Sequence, residues 1–545
     1  HVLVWIAGDP DLEDRATLQA LLDGDDEVEL ERRFAAPLTF GTAGLRGPEM
    51  AGPAGMNRYT VRRATQGVVA WLRDIGVDTQ RGVVVGRDGR KGSESFNSEA
   101  IHVLLGAEVR VFEMPGPLPT PLVAYCVKEL GAAAGIMITA SHNPPNDNGY
   151  KLYSSDGSQI IPPNDEIVER FADAATTPVL AERPSSHHRW ISLDVITKYR
   201  NHLTQRFTRP GGSDFPIVYT PLHGVGGSTM MELFAEAGYR NVTKVAEQFE
   251  PDGQFPTLPF PNPEEPGALD LAMATADRVD ATLVIANDPD ADRLGAAAKG
   301  PSGWQVLRGD EIGWLLATSL LPEMTGATDT VATTIVSSTM LEAMAREAGV
   351  SFNMTLTGFK WLARAAGDGV LRLGYEEALG FAVDPLVADK DGMSAALALT
   401  LLAVQLDEMG QTLLDRLDEI ESRFGVHSIY QLSLRAEGSE GLVAIKNAVT
   451  QMRERPPTSL GGIDVSESFD LVNGYEGLGP TDGVLLRLGS SGRVVVRPSG
   501  TEPKLKAYIE ITSPPSTATS LASQRELAAA TVGAVRRDLE ELLRF

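Results

Sequence analysis

Three times along the chain, a short run of apolar, mostly β-branched residues gives way to a polar or Gly-rich turn and then to a helical pattern. The runs are Val83–Val85 before Gly86-Arg87-Asp88-Gly89-Arg90, Ile217–Tyr219 before Thr220-Pro221-Leu222-His223-Gly224, and Val331–Val336 before Ser337-Ser338-Thr339. Each is continuously hydrophobic rather than alternating, the pattern of a strand covered by helices on both faces. Strands alternating with helices predict an α/β fold, with three similar α/β domains in tandem and mixed, largely parallel sheets. The C-terminal part reads differently. Arg493–Arg497 and Leu505–Ile511 are predicted strands flanking a Pro-Ser-Gly-Thr-Glu-Pro loop. The second alternates Leu505, Ala507, Ile509 and Ile511 against Lys506, Tyr508 and Glu510, as a half-buried antiparallel strand does. With a terminal helix from Ser523 to Leu543, it makes an α+β domain. Residues 1–36 are acidic and helix-friendly, an N-terminal helical lead-in. Pro, Gly or polar clusters near Pro210–Pro216, Leu321–Asp329 and Ala436–Gly441 set the boundaries, giving domains 1–210, 211–325, 326–438 and 439–545.

The bulk numbers narrow the partners. A length of 545 residues suits three or four domains, and 43% apolar with 22% charged residues is ordinary globular composition. Acidic residues outnumber basic ones 73 to 48, for a net charge of −25, so the long-range field repels nucleic acid and anionic membranes. A small anionic substrate still fits if Lys and Arg gather locally. The apolar run Ala395 to Val404 is too short to span a bilayer. Val2 to Ile6 has no basic flank of the kind a signal peptide carries, and the lone Cys126 cannot form an internal disulfide. The expected compartment is the cytoplasm.

Four segments carry candidate chemistry. Thr139-Ala140-Ser141-His142-Asn143-Pro144 follows an apolar strand, Ala132–Ile138, and ends in two prolines, which places Ser141 as a nucleophile. A structural turn, with Ser and Asn bonding their own backbone, accounts for the same residues. Lys151 follows closely, a cation suited to a phosphorylated side chain. Asn287-Asp288-Pro289-Asp290-Ala291-Asp292-Arg293 also leaves a strand, Ala281–Ala286. Three carboxylates at alternate positions on a short loop converge on a hard cation. Arg293 and Lys299 stand where an EF-hand needs Gly and Glu, so Mg²⁺ fits better than Ca²⁺. A solvated acidic turn is the plain alternative. Arg497-Pro498-Ser499-Gly500-Thr501-Glu502-Pro503-Lys504 has the fork, hydroxyls and glycine of an anion-binding loop, or of a charged hairpin tip. In Gly374-Tyr375-Glu376-Glu377-Ala378-Leu379-Gly380, adjacent carboxylates suit sugar hydroxyls, though helix starts also favour glutamates.

In this order, the segments resemble the α-D-phosphohexomutase superfamily of phosphoglucomutases and phosphomannomutases, over about Thr39 to Tyr508. The most specific pieces are Thr-Ala-Ser141-His-Asn-Pro, Asp288-Pro-Asp290-Ala-Asp292-Arg293 and Arg497-Pro-Ser-Gly-Thr-Glu-Pro. The resemblance implies four domains around a central cleft and a phosphorylated Ser141, with Asp288, Asp290 and Asp292 holding Mg²⁺ against the Ser141 phosphate. Glu376 and Glu377 would recognise sugar hydroxyls. Arg497, Ser499, Gly500 and Thr501 would hold the phosphate not being transferred. Arg46 (in Thr42-Ala43-Gly44-Leu45-Arg46-Gly47), His142, Lys151 and Arg293 would line the reacting phosphoryl group. Lys360, in Thr357-Gly358-Phe359-Lys360-Trp361, is a candidate general base, or equally a phosphate contact.

Two departures bear on the sugar. A Tyr is inserted in the sugar loop, and Ala378 stands where many relatives have Ser, a form similar to the longer phosphoglucomutase and phosphopentomutase branch. The expected reaction interconverts hexose 1-phosphate and hexose 6-phosphate through hexose 1,6-bisphosphate, which also serves as activator. Phosphopentomutase is the alternative. A metal-dependent sugar phosphatase and a non-catalytic sugar-phosphate binder are further readings. The expected partner is the small sugar phosphate alone, bound by a monomer or homodimer.

Overall fold

Val83, Val84 and Val85 have no exposed surface, because the strand they belong to is sandwiched between helices. In the computed structural model, which describes residues 1–41, 44–326, 328–435, 438–499 and 504–544, the chain forms two compact units. One comprises His1–Arg308 with Ala378–Gln405, the other Gly309–Glu377 with Leu406–Phe545.

The first unit contains two sheets. Strands β1 (Leu45–Pro48), β2 (Val83–Arg87), β3 (Val111–Pro117), β4 (Ala134–Ile138), β5 (Asp147–Ser154) and β6 (His188–Trp190) are ordered β1-β5-β4-β2-β3-β6. β4, β2, β3 and β6 run parallel, and β5 returns antiparallel between β4 and β1. Val83, Val85, Ile136 and Ile138 pack with apolar residues of helices Arg58–Asp74 and Ser93–Gly106. On the opposite face, Val123 and Val127 of helix Thr120–Glu129 press so close that Gly86 and Gly135 have no room for a Cβ. The continuous run is thus buried on both faces, as its pattern predicts. The second sheet holds β7 (Ile217–Thr220), β8 (Val242–Lys244), β9 (Leu283–Asn287), β10 (Leu294–Gly300) and β11 (Gly303–Leu307), in the order β11-β10-β9-β7-β8. β9 is parallel to β7 and antiparallel to β10.

Both reactive-looking loops of this unit therefore sit at the same kind of place. Each lies where a buried strand turns straight back into an antiparallel neighbour, 139–146 between β4 and β5 and 288–293 between β9 and β10. Gly149 makes the first return possible. A Cβ there would stand 2.5 Å from the Thr139 carbonyl oxygen and 2.7 Å from that of Leu45. Both are backbone atoms of paired strands that cannot step aside, so Gly149→Ala should lower unfolding stability by about 1–3 kcal/mol in urea titrations.

In the second unit, β12 (Asp329–Thr334) lies parallel to both β13 (Ser351–Thr355) and β14 (Val370–Glu376). The C-terminal sheet is antiparallel, built from Val426–Arg435, Lys504–Ser513, Gly492–Pro498, Val484–Arg487 and Glu467–Asp470 in that order. Its last long strand departs from the alternating prediction, since Tyr508 and Glu510 are buried along with Ala507, Ile509 and Ile511. Helix Leu521–Leu542 covers one face, and the other packs on Ile335, Val336, Leu471 and Tyr475. A strand covered on both faces loses its polar side. The N-terminal lead-in is three short helices, Val2–Gly8, Leu12–Asp23 and Glu27–Phe34. Among the described residues, no single helix is long and apolar enough to cross a membrane.

Candidate active site

Ser141 ends the buried strand β4 with φ of +53°, in the left-handed region that a non-glycine residue occupies only under constraint. Its N–H donates to Thr139 Oγ1 at 2.8 Å, and its hydroxyl donates to Asp288 Oδ2 at 2.6 Å. His142 Nδ1 stands 3.2 Å from the same hydroxyl. Enclosure, with the neighbouring Arg293 and Arg46 guanidiniums, pushes the His142 pKa well below its ordinary value, so the imidazole is neutral at physiological pH. The 1% exposure of Ser141 shows a hydroxyl kept from bulk water and pointed at a carboxylate.

Asp288, Asp290 and Asp292 are all fully buried, and one oxygen from each lies within 4.8 Å of the others. The loop is closed by Asn287, whose side-chain amide donates to the Arg293 carbonyl at 2.7 Å and accepts from the Tyr219 hydroxyl at 3.0 Å. The Arg293 N–H donates to Asp288 Oδ1 at 3.0 Å. Lys151 reaches the triad from β5, opposite Met137, and its Nζ donates to Asp290 Oδ2 and Asp292 Oδ2, each at 2.6 Å. Burial and like charge push the Asp288 carboxyl well above the usual carboxylate range. Asp292 resists the same burial because Lys151, Lys390 and Arg293 hold it far below that range. The three carboxyls therefore differ: Asp288 is raised by burial and like charge, whereas Lys151 helps to hold Asp290 and Asp292 below the usual carboxylate range. Arg46 adds a further cation, its Nη1 3.4 Å from Asn143 Oδ1.

Four contributors escaped the sequence reading. Thr120 donates to Asp290 Oδ2 at 2.5 Å, and Lys390 Nζ stands 3.3 Å from Asp292 Oδ2. Asp88 and Arg90 lie beneath the serine loop. The Arg87-Asp88-Gly89-Arg90 turn was visible, but only as a turn. Lys390 sits in Asp389-Lys390-Asp391, charged text that ends in a buried apolar helix, Gly392–Glu408. That combination was a usable signal.

The segment bearing Lys390 is tied down by Asp391. The Tyr199 hydroxyl lies 3.0 and 2.8 Å from its two oxygens, and the Met393 and Ser394 N–H groups donate to it. Burial raises its pKa from 3.8 to about 6. The folded state thus holds this proton more tightly than the unfolded chain, and the group opposes folding increasingly as pH rises from about 4 to 6. Asp391→Asn should gain stability relative to the parent over that interval, by up to about 3 kcal/mol at pH 7, in denaturant unfolding at several pH values.

The second unit brings together a separate set. Glu376 Oε1 accepts the Gly358 N–H at 2.8 Å, which places the Glu376 end of β14 against the start of the short helix Phe359–Leu362 that carries buried Lys360. Glu377 Oε2 is 3.4 Å from the hydroxyls of both Ser337 and Thr334. Arg493 donates to the Ser337 carbonyl at 2.5 Å and to Glu510 Oε2 at 3.0 Å. Arg497 lies four residues along the same strand, its Nε buried and without a hydrogen-bond partner among the described residues. The Ser499 N–H closes the hairpin onto the Lys504 carbonyl at 2.8 Å. Gly500 and Thr501, like Thr42 and Ala43, fall outside the described residues.

Known proteins resemble this chain along its length. Residues 37–178, 197–302 and 308–424 match the phosphoglucomutase/phosphomannomutase alpha/beta/alpha domains I, II and III, and residues 461–527 match the C-terminal domain. A Haemophilus influenzae protein named "Probable phosphomannomutase" is 38% identical over 84% of this chain and 93% of its own length. The mouse protein named phosphopentomutase is 35% identical, with coverage of 94% and 90%. A crystal structure of a phosphoglucomutase/phosphomannomutase family protein from Burkholderia thailandensis superposes with a TM-score of 0.70 at 21% identity, covering 93% of this chain and 97% of that one. Ordered matches to all four domains, spread over nearly the whole length, leave one conclusion: the chain belongs to the phosphoglucomutase/phosphomannomutase family, within the α-D-phosphohexomutase superfamily.

Proposed function

We propose that this chain is a Mg²⁺-dependent mutase that interconverts hexose 1-phosphate and hexose 6-phosphate, of glucose or mannose, through phosphorylated Ser141 and a hexose 1,6-bisphosphate. The observation that carries the reading is the Ser141 hydroxyl, 2.6 Å from Asp288 at the edge of three convergent buried carboxylates. A hard cation fits this donor set. Among the described residues, Asp290 Oδ1 and Asp292 Oδ1 are buried without a hydrogen-bond partner, a need that a metal ion would meet. Mg²⁺ held by Asp288, Asp290 and Asp292 would neutralise charge on the Ser141 phosphate.

The rest of the chemistry belongs to the chain. Phosphoryl transfer needs alignment and charge neutralisation more than covalent help. Arg46, Lys151 and Arg293 supply positive charge beside three buried carboxylates, where it acts strongly. His142, neutral beside the serine oxygen at 3.2 Å, offers it a polar contact without adding charge. Asp288, which accepts the serine hydroxyl at 2.6 Å, is placed to exchange a proton with that oxygen. Glu376 and Glu377 orient the sugar, while Arg497 and Ser499, with Gly500 and Thr501, hold the phosphate that is not transferred. Lys360 serves as general base or phosphate contact. A monomer or homodimer working in the cytoplasm on a small sugar phosphate suffices for this, and the net charge of −25 speaks against nucleic acid.

A pentose substrate is the second reading. It is favoured by the near full-length match to a protein named phosphopentomutase and by Ala378, which offers no hydroxyl to a sugar. A coupled assay with Mg²⁺ and a trace of hexose 1,6-bisphosphate decides. Glucose 1-phosphate, mannose 1-phosphate and ribose 1-phosphate are offered separately while free phosphate is followed. Isomerisation of a hexose without phosphate release supports the first reading, and preference for ribose 1-phosphate supports the second. Steady phosphate release with no isomer would make the protein a phosphatase.

A further inference from the structure

Arg90 is a buried cation that the scheme above does not use. Its Nη2 donates to the carbonyls of Ser141 at 2.5 Å and Asn143 at 2.7 Å. Its Nη1 donates to those of Pro144 at 2.7 Å and Asp147 at 3.0 Å. One planar fork therefore fixes the backbone of the serine loop from the nucleophile to the first residue of β5. A lysine, a point charge on a flexible stem, cannot hold four acceptors in that geometry. Beneath it, Asp88 Oδ2 lies 3.3 Å from Arg90 Nε and accepts the Thr139 hydroxyl at 2.7 Å. Thr139 Oγ1 in turn accepts the Ser141 N–H, so the brace reaches the nucleophile from both its N–H and its carbonyl. The Phe255 ring stacks 5.0 Å from the guanidinium, and Gly253 approaches the Arg90 backbone so closely that a Cβ would meet its Cα at 2.8 Å. The fork is thereby clamped between the serine loop and the segment that follows β8.

The left-handed backbone of Ser141 persists only if its surroundings over-determine it, and these bonds do so. We propose that Arg90, braced by Asp88 and Thr139, is a positioning residue that keeps the Ser141 phosphoryl group in line for a sugar hydroxyl rather than for water. This rests on the phosphoserine reading given above. The discrimination is geometric. A sugar hydroxyl arrives from one bound direction and needs the phosphorus aligned with it, whereas water is small and can attack a misaligned group. Loosening the loop should slow transfer to sugar and spare or speed hydrolysis. In that hydrolysis the water oxygen bonds to phosphorus and the P–O bond to Ser141 breaks. The serine oxygen takes a proton from the water, and inorganic phosphate leaves.

The test compares the full-length protein with Arg90→Lys, both charged from ³²P-labelled hexose 1,6-bisphosphate in Mg²⁺. Phosphate released per isomerisation should rise about tenfold in the variant and kcat should fall at least about tenfold, with KM for the sugar phosphate nearly unchanged. A residue that only supports folding would reduce the active fraction and lower kcat without moving that ratio, which would overturn the proposal. Thr139→Val, a near-isosteric change that removes the link from Asp88 to the Ser141 N–H, should move the ratio in the same direction. It decides the matter should Arg90→Lys fail to fold, and an unchanged ratio there also overturns the brace. A wild type that takes no label on Ser141 sinks the phosphoserine reading and the brace with it. A labelled wild type with unmoved ratios in the variants sinks the brace alone.

Discussion

Ser141→Ala should reduce isomerisation at least about 10⁴-fold while leaving binding of the sugar phosphate within a few-fold of the parent. The size follows from what is removed. Phosphorylated Ser141 is both donor and acceptor in the proposed cycle, and a methyl group can be neither. The small effect on binding follows from burial. Ser141 is 1% exposed, and the group that loses a partner is Asp288, whose raised pKa lets it hold a proton instead of a bare charge. The fold should therefore tolerate the change, with a melting temperature within a few degrees of the parent. Coupled kinetics and calorimetric titration with glucose 1-phosphate check the two halves separately. Residual activity above a hundredth of the parent would mean that another group carries the phosphoryl, and His142, 3.2 Å away, would become the first suspect. A binder without catalysis would show no activity in the parent either.

How much of this was legible in the sequence depended on how local each feature is. The Ser141 and Asp288–Asp292 loops each follow an apolar strand directly, so their place at a strand end could be read from neighbouring residues. The alternation from Leu505 to Ile511 promised one wet face, and the structure buries both, because Ile335 and Val336 come from more than a hundred residues away to cover it. No local period can register such a partner. Arg90 and Lys390 were missed for the same reason. Their meaning lies in carbonyls and carboxylates 51 to 57 residues away for Arg90, and about a hundred away for Lys390. Lys151 could be assigned its charge but not its partners. Only the antiparallel register of β4 with β5 aims it into the gap between Asp290 and Asp292. The Gly374–Gly380 segment was legible as residues and not as contacts: Glu376 turns out to hold the Gly358 N–H, a bond that ties it to the Lys360 helix.

Asp290→Asn should cost about 10³-fold in turnover and abolish the stabilisation that Mg²⁺ gives the parent. Three buried carboxylates face two lysines and the Arg293 backbone, and Asp290 and Asp292 keep one oxygen each with no hydrogen-bond partner among the described residues. Such oxygens are expensive to bury, and a divalent ion satisfies them while cancelling mutual repulsion. Binding only to the folded state, Mg²⁺ at a hundred times its dissociation constant should stabilise the parent by about 2.7 kcal/mol, and chelation should remove both that increment and the activity. Asn at 290 keeps the shape and, with its oxygen in the place of Oδ2, can still accept from Thr120 and Lys151, but it removes one negative charge and leaves Lys151 paired with the Asp292 carboxylate. The variant should therefore unfold at a temperature that no longer responds to Mg²⁺, in scans with and without chelator. A shift as large as the parent's would mean that the ion sits elsewhere and that the triad serves only to hold Lys151. Turnover lost with the Mg²⁺ response intact would separate charge placement from metal binding, leaving Asp290 as the anchor of that lysine rather than a ligand.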